Sequence, residues 1–167
     1  KRIWADTPER VLRLYQEIND PQFQLCFDAS NYVQCGVDVP SAYQKLKDVT
    51  VYYHVKDCAK EKVEVPVGMG IGDYENMVKD LVERGYDGFM TLEPHTGKYA
   101  DNKALFHRIG WLFFGIGFEH INRWRKIFHD IDKAKGVGHT QEITRRQMMD
   151  WQYYGLKEMI AKAEKEA

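Results

Sequence analysis

LCFD at Leu25–Asp28, VYYHVKD at Val51–Asp57 and FMTLEPH at Phe89–His95 are the stretches whose reading decides the fold. In each, strand-forming apolar and aromatic residues lead to one metal-competent side chain: Asp28, His54 and Glu93. A parallel barrel collects its chemistry at the C-terminal ends of its strands. Asp, His and Glu together hold hard or borderline divalent cations. The intervals of 26 and 39 residues between the three positions carry helix-like segments. That spacing predicts a βα repeat feeding one shared site.

Working outward, Asp6-Thr7-Pro8-Glu9 is a helix start, with a capping side chain, proline at the first helical position and then an acid. Val11, Leu12, Leu14, Tyr15 and Ile18 follow at helical spacing, and Asn19-Asp20-Pro21 ends the segment. Gln24–Asp28 reads as a buried strand. Asp38–Pro40 opens a second helix with Tyr43 and Leu46 inward, and Thr50–Val55 is a β-branched and aromatic strand. Gly68–Asp73 is a glycine-rich loop. Asp73 is expected to cap a third helix through Met77, Val78, Leu81 and Val82, ending at Arg84-Gly85. Gly88–Glu93 is the third strand, and 101–133 and 141–165 read as two long helices.

The expected order is α-β-α-β-α-β-α-α, an α/β fold with a parallel sheet covered by helices. Three parallel strands cannot close a barrel and leave open edges, and a full (β/α)8 barrel takes about 250 residues. The chain therefore reads as the last three βα units of such a barrel over 1–97, followed by a helical extension over 98–167 that packs on the barrel or a partner subunit. Its first residue is Lys1, so it is expected to be processed or cut from something longer.

The totals fit one globular domain: 167 residues, 44% hydrophobic, 29% charged. A net charge of −1 offers nucleic acid no electrostatic foothold. The longest apolar run, Trp111–Phe118, is eight residues and broken by glycine, well under the roughly 20 that span a bilayer. No nucleic-acid or membrane partner is expected. Cys26, Cys35 and Cys58 form an odd set without a C-x-x-C pair, which suits a reducing cytoplasm. Cys26 shares a strand face with Asp28 and is read as a small core residue, not a ligand. In the tail, Trp111, Phe114 and Phe118 make one aromatic stripe, with Phe113, Trp124 and Phe128 widening it. Packing under the barrel and a subunit interface both explain it, and a homo-oligomer is expected.

LCFDASNYVQCGVD, VYYHVKD, PVGMGIGDYENMVKDLVERGYDGFMTLEPH and the leading DTPERVL resemble, in order and spacing, the sugar phosphate isomerase/epimerase family with its xylose-isomerase-like TIM barrel. The likeness covers about residues 5–95. It implies a divalent metal held by Asp28, His54 and Glu93; an imidazole among carboxylates favours Mn²⁺, with Mg²⁺, Co²⁺ or Zn²⁺ as alternatives. It also implies a fourth ligand, a Glu on the strand before the DTPER helix, which would come from an N-terminal part of the barrel as a separate or cleaved chain. Without that part the chain is expected to be inactive.

The implied chemistry starts from a substrate carbonyl and its neighbouring hydroxyl at the metal, a Lewis acid that acidifies the adjacent C–H. A carboxylate, for which Glu93 is the candidate, takes that proton. The outcome is epimerisation or aldose–ketose exchange through an enediolate, or a lyase or dehydratase reaction if a β-hydroxyl leaves instead. Asn31 is either a donor to a substrate hydroxyl or the second member of an Asx turn. Lys56 shares the face of His54 and is a candidate for binding a substrate hydroxyl or phosphate. Asp57 is given no functional role, and His95 is a candidate substrate contact. The glycine loop is read as a flexible lid, since Asp73 stands where a dinucleotide motif needs its third glycine. Two other function classes also fit parts of the sequence. One is a non-catalytic half-barrel that serves assembly. The other is a metal-dependent phosphodiesterase like the apurinic endonucleases, which the charge balance and the few histidines near strand tips disfavour.

Overall fold

The sheet forms where the apolar runs lie. In the computed structural model, which describes residues 5–95, 119–138 and 141–167, strands β1 (Leu25–Asp28), β2 (Thr50–Val55) and β5 (Phe89–Leu92) make one parallel sheet in the order β1-β2-β5. Between them in sequence, β3 (Asp57–Cys58) and β4 (Glu64–Val65) form a separate antiparallel hairpin. Among the described residues, nothing pairs with the outer edges of β1 and β5.

Six helices accompany the strands among those residues. Helix α1 (Pro8–Ile18) starts on the Thr7 hydroxyl, which accepts the Arg10 N–H, and ends at Asn19 in the left-handed region. Val11, Leu12 and Tyr15 pack inward, whereas Leu14 and Ile18 are exposed. Helix α3 (Val39–Leu46) is capped by Asp38 and buries Tyr43 and Leu46. Helix α4 (Tyr74–Glu83) buries Tyr74, Met77, Val78 and Leu81 and stops before Gly85 at φ 64°. Two tail helices, α5 (Glu119–Lys135) and α6 (Arg145–Glu166), flank the break at Gly136.

Three expectations are corrected. The element order contains a further helix, α2 (Ala29–Cys35), and the β3–β4 hairpin. Helix α2 is one short segment whose cap is Asp28, so its start hides inside the strand motif. Asp73 stands at the start of α4 but makes no backbone cap, because its carboxylate takes the Asn76 amide and its own φ is 54°. Cys26 is exposed, not core. The strand alternation puts Phe27, Tyr53 and Val55 into the helix-covered core, and Cys26, Tyr52 and Phe89 on the opposite face. On that face Phe89 is 81% exposed. The aromatic stripe at Trp111, Phe113, Phe114, Phe118 and Trp124 lies outside the residues whose side chains are described.

Helix α6 joins the same core as the sheet. Leu156 and Ala163 belong to the cluster built on Phe27, Tyr53 and Met77, and Met159 and Ile160 pack against it. A second cluster unites α5 with the hairpin: Ile127, Phe128 and Ile131 meet Val63 and Val65, joined by Ile143 and Met148. Burial of this kind is worth about 1.5–3 kcal/mol per large apolar side chain, so the tail is held chiefly by apolar contact.

Candidate metal centre

Register brings the three acceptors together. Asp28 of β1 is the direct partner of His54 on β2, and His54 is the partner of Thr91 on β5. The Glu93 N–H continues the ladder by donating to the Val55 carbonyl at 3.1 Å. Side chains two apart on a strand share a face, so Glu93 follows Thr91 onto the face of His54. One ligand atom from each of Asp28, His54 and Glu93 falls within 4.8 Å of the others. His54 Nδ1 lies 3.2 Å from Glu93 Oε2 and 3.8 Å from Asp28 Oδ2. Asp28 is buried, and the other two are half-buried at the open end of the strands. Two carboxylates and one imidazole are the donor set of a hard-to-borderline divalent cation, so the residues fit a metal of that class.

Asn31, Lys56 and His95 all lie against the three acceptors, with partners the sequence did not reveal. Asn31 turns to Asp28: its backbone N–H donates to Oδ1 at 3.0 Å and its amide to Oδ2 at 2.8 Å. This is the capping arrangement of α2, and it orients the carboxylate. Lys56 Nζ donates to Glu93 Oε2 at 2.7 Å and lies 2.8 Å from Asp28 Oδ2. Burial opposes the charged ammonium, but the Asp28 and Glu93 carboxylates outweigh it and raise the Lys56 pKa. Burial likewise pushes the Glu93 carboxyl up, and the Lys56 ammonium, with His95 and His54 adding, outweighs that and holds it below the ordinary value. His95 Nε2 lies 3.3 Å from the other Glu93 oxygen, Oε1, and its Nδ1 lies 3.4 Å from Glu64 Oε1. Glu64 in turn accepts the Gln34 amide at 3.1 Å.

Two supporting residues escaped the sequence reading. Asp57, given no role, is buried behind the site and gathers the glycine loop. Its carboxylate accepts the N–H groups of Gly68, Gly70 and Gly72 at 2.9 Å each, and that of Cys58 at 2.8 Å. Burial raises its pKa, against the opposing effect of those four donors. The loop is therefore tied down, and the flexible-lid reading is corrected. Its signal was present: glycines at every second position let alternate N–H groups face one acceptor without a Cβ between. Tyr74, buried at the start of α4, takes the Lys56 N–H on its hydroxyl at 2.8 Å and approaches the His54 and Lys56 carbonyls at 3.0 Å each. No local pattern marks that contact, since it spans 18–20 residues.

No curated protein matches the chain. The family model for the xylose isomerase-like TIM barrel matches residues 2–113, a span that contains the three strands, the hairpin and every candidate site residue. The chain belongs to the xylose isomerase-like TIM barrel family.

Proposed function

We propose that the protein is a metal-dependent sugar or sugar-phosphate isomerase or epimerase that works by removing a proton next to a carbonyl. The observation that carries this reading is the convergence of Asp28, His54 and Glu93 within 4.8 Å at the C-terminal ends of adjacent parallel strands. The family membership supports it at the level of the superfamily, which generally comprises sugar isomerases and epimerases.

Asp28, His54 and Glu93 would hold the metal, with Mn²⁺ preferred because an imidazole among carboxylates suits it better than Mg²⁺. When bound, such an ion supplies Lewis acidity to a carbonyl and its neighbouring hydroxyl. The remaining work belongs to the chain. Glu93 uses its two oxygens differently: Oε2 faces His54 and Lys56, while Oε1 faces His95. Oε1 is thus the oxygen assigned to take the substrate proton, and His95 stabilises the carboxylate that does so. Asn31 orients Asp28. Asp57 and Tyr74 hold the strand end that carries His54 and Lys56. The same reading has further barrel strands covering the outer edge of β1 and the face that bears Cys26 and Phe89.

The test is solvent deuterium incorporation into a panel of ketoses and inososes, with Mn²⁺ present and the closing strands supplied. Wash-in at the carbon beside the carbonyl is expected from the wild type. Glu93→Gln should lower it by about 10²- to 10⁴-fold, the usual loss for a general base. Wash-in at the wild-type rate would remove Glu93 from the role of base. Release of water from the substrate would instead assign a dehydratase outcome.

A further inference from the structure

The Lys56 ammonium rests on the two oxygens that the cation site also needs. Nζ is 2.8 Å from Asp28 Oδ2 and 2.7 Å from Glu93 Oε2, and the residue is only 4% exposed. A divalent ion binds carboxylate oxygens at about 2.0–2.2 Å. An ion at that distance from both oxygens and an ammonium hydrogen-bonded to both would be held roughly 4 Å apart or less, with strong mutual repulsion. The Lys56 backbone cannot retreat to relieve this. Tyr74 Oη accepts its N–H at 2.8 Å and donates within 3.0 Å of its carbonyl, so only the side-chain stem is free to swing.

We propose that Lys56 is an internal counter-cation that competes with the metal, so that metal entry releases its ammonium from Asp28 and Glu93. The inference rests on the metal reading above and adds how that site is filled and emptied. Before metal arrives, Lys56 keeps two neighbouring carboxylates close and offsets part of their charge, which preserves the ligand geometry. When metal arrives, two charge-assisted hydrogen bonds must break. Affinity for the metal is lowered accordingly, and the metal stays exchangeable.

Isothermal titration of Mn²⁺ into the metal-free protein, with the closing strands supplied as in the activity test, compares wild type, Lys56→Met and Lys56→Arg. Lys56→Met should bind at least about tenfold more tightly than wild type, and Lys56→Arg, which keeps the charge, no more tightly. A lysine that merely positions the carboxylates would show the opposite order, because its loss would scatter the ligands. If wild type binds Mn²⁺ and Lys56→Met binds no better, the competition is overturned while the metal reading stands. If neither protein binds Mn²⁺, both are overturned. Should Lys56→Met fail to fold, NMR of ¹³C-lysine-labelled wild type with Zn²⁺ decides the matter. The Lys56 ε-carbon resonance should shift with the same midpoint as the His54 ring, and a Lys56 signal unmoved at saturation overturns the proposal.

Discussion

Asp57 accepts the Gly70 N–H at 2.9 Å, in the middle of three alternate glycines that all donate to the same carboxylate. The approach leaves no room for a side chain: a Cβ on Gly70 would run into Asp57 Oδ1, and one on Gly72 would come within 2.7 Å of it. The loop is also backed by α6, whose Gln152 amide oxygen accepts the Val67 N–H at 2.9 Å.

Asp57→Ala is therefore expected to destabilise the chain strongly. It leaves four backbone donors without their acceptor, each worth about 1–3 kcal/mol where water cannot replace it. Gly70→Ala should be destabilising as well, by displacing the carboxylate. Urea unfolding followed by circular dichroism measures both. A midpoint unchanged in Asp57→Ala would show that the loop does not depend on this anchor.

Asn31→Ala should weaken metal binding while leaving the fold in place. Its amide fixes Asp28 Oδ2 at 2.8 Å, and loss of such a partner to a metal ligand typically lowers affinity about 10- to 100-fold. Mn²⁺ titration of the variant is the measurement. An unchanged dissociation constant beside a raised KM for substrate would return Asn31 to the role of direct substrate contact.

Asp80 ties α4 to α3 and gives the chain an acid-sensitive joint. It accepts Tyr43 Oη at 2.8 Å and Lys47 Nζ at 2.6 Å. Burial raises its pKa, but these partners with Arg84 outweigh it and hold it below the ordinary 3.8. A carboxyl whose folded value is depressed stabilises the fold above its unfolded value, and loses that contribution as pH falls through the folded one. Asp80→Asn should thus lower stability near neutral pH by about 1.5–3 kcal/mol, the range for hydrogen bonds to charged groups. The gap between variant and wild type should close below pH 3.8. Urea midpoints collected at both pH values check this, and a gap that persists in acid contradicts it.

The sheet face that bears Phe89 and Cys26, left open by the described residues, carries a further expectation. Phe89 and Cys26 stand exposed on it, beside an unpaired β1 edge among the described residues. An apolar face of a parallel sheet associates unless it is covered. Analytical ultracentrifugation of the isolated 19.6 kDa chain should show association, or a defined complex once further barrel strands are added. A stable, well-folded monomer would contradict the proposal that other strands cover this face.

Much of the site was legible because its cues are local. A β-branched or aromatic run ending in one acid or imidazole marks a strand tip, and three such tips in successive βα units point at one another once the sheet is parallel. Helix starts at Thr7 and Asp38 were legible for the same reason, since a cap acts within three residues. Helix α2 was not, because Asp28 serves both as strand tip and as cap, and the strand reading took precedence.

What the amino-acid order determined by itself was the identity and facing of Asp28, His54 and Glu93, through the two-residue period of a strand. Tertiary structure alone decided what surrounds them. Lys56 reaches Glu93 across 37 residues, Asp57 reaches Gly72 across 15, and Gln152 reaches Val67 across 85. The exposure of Cys26 was likewise settled by packing, because a strand's period assigns a residue to a face but does not say what covers that face. Those contacts depend on how separate elements dock, and periodicity and capping carry no information about partners so distant in the chain.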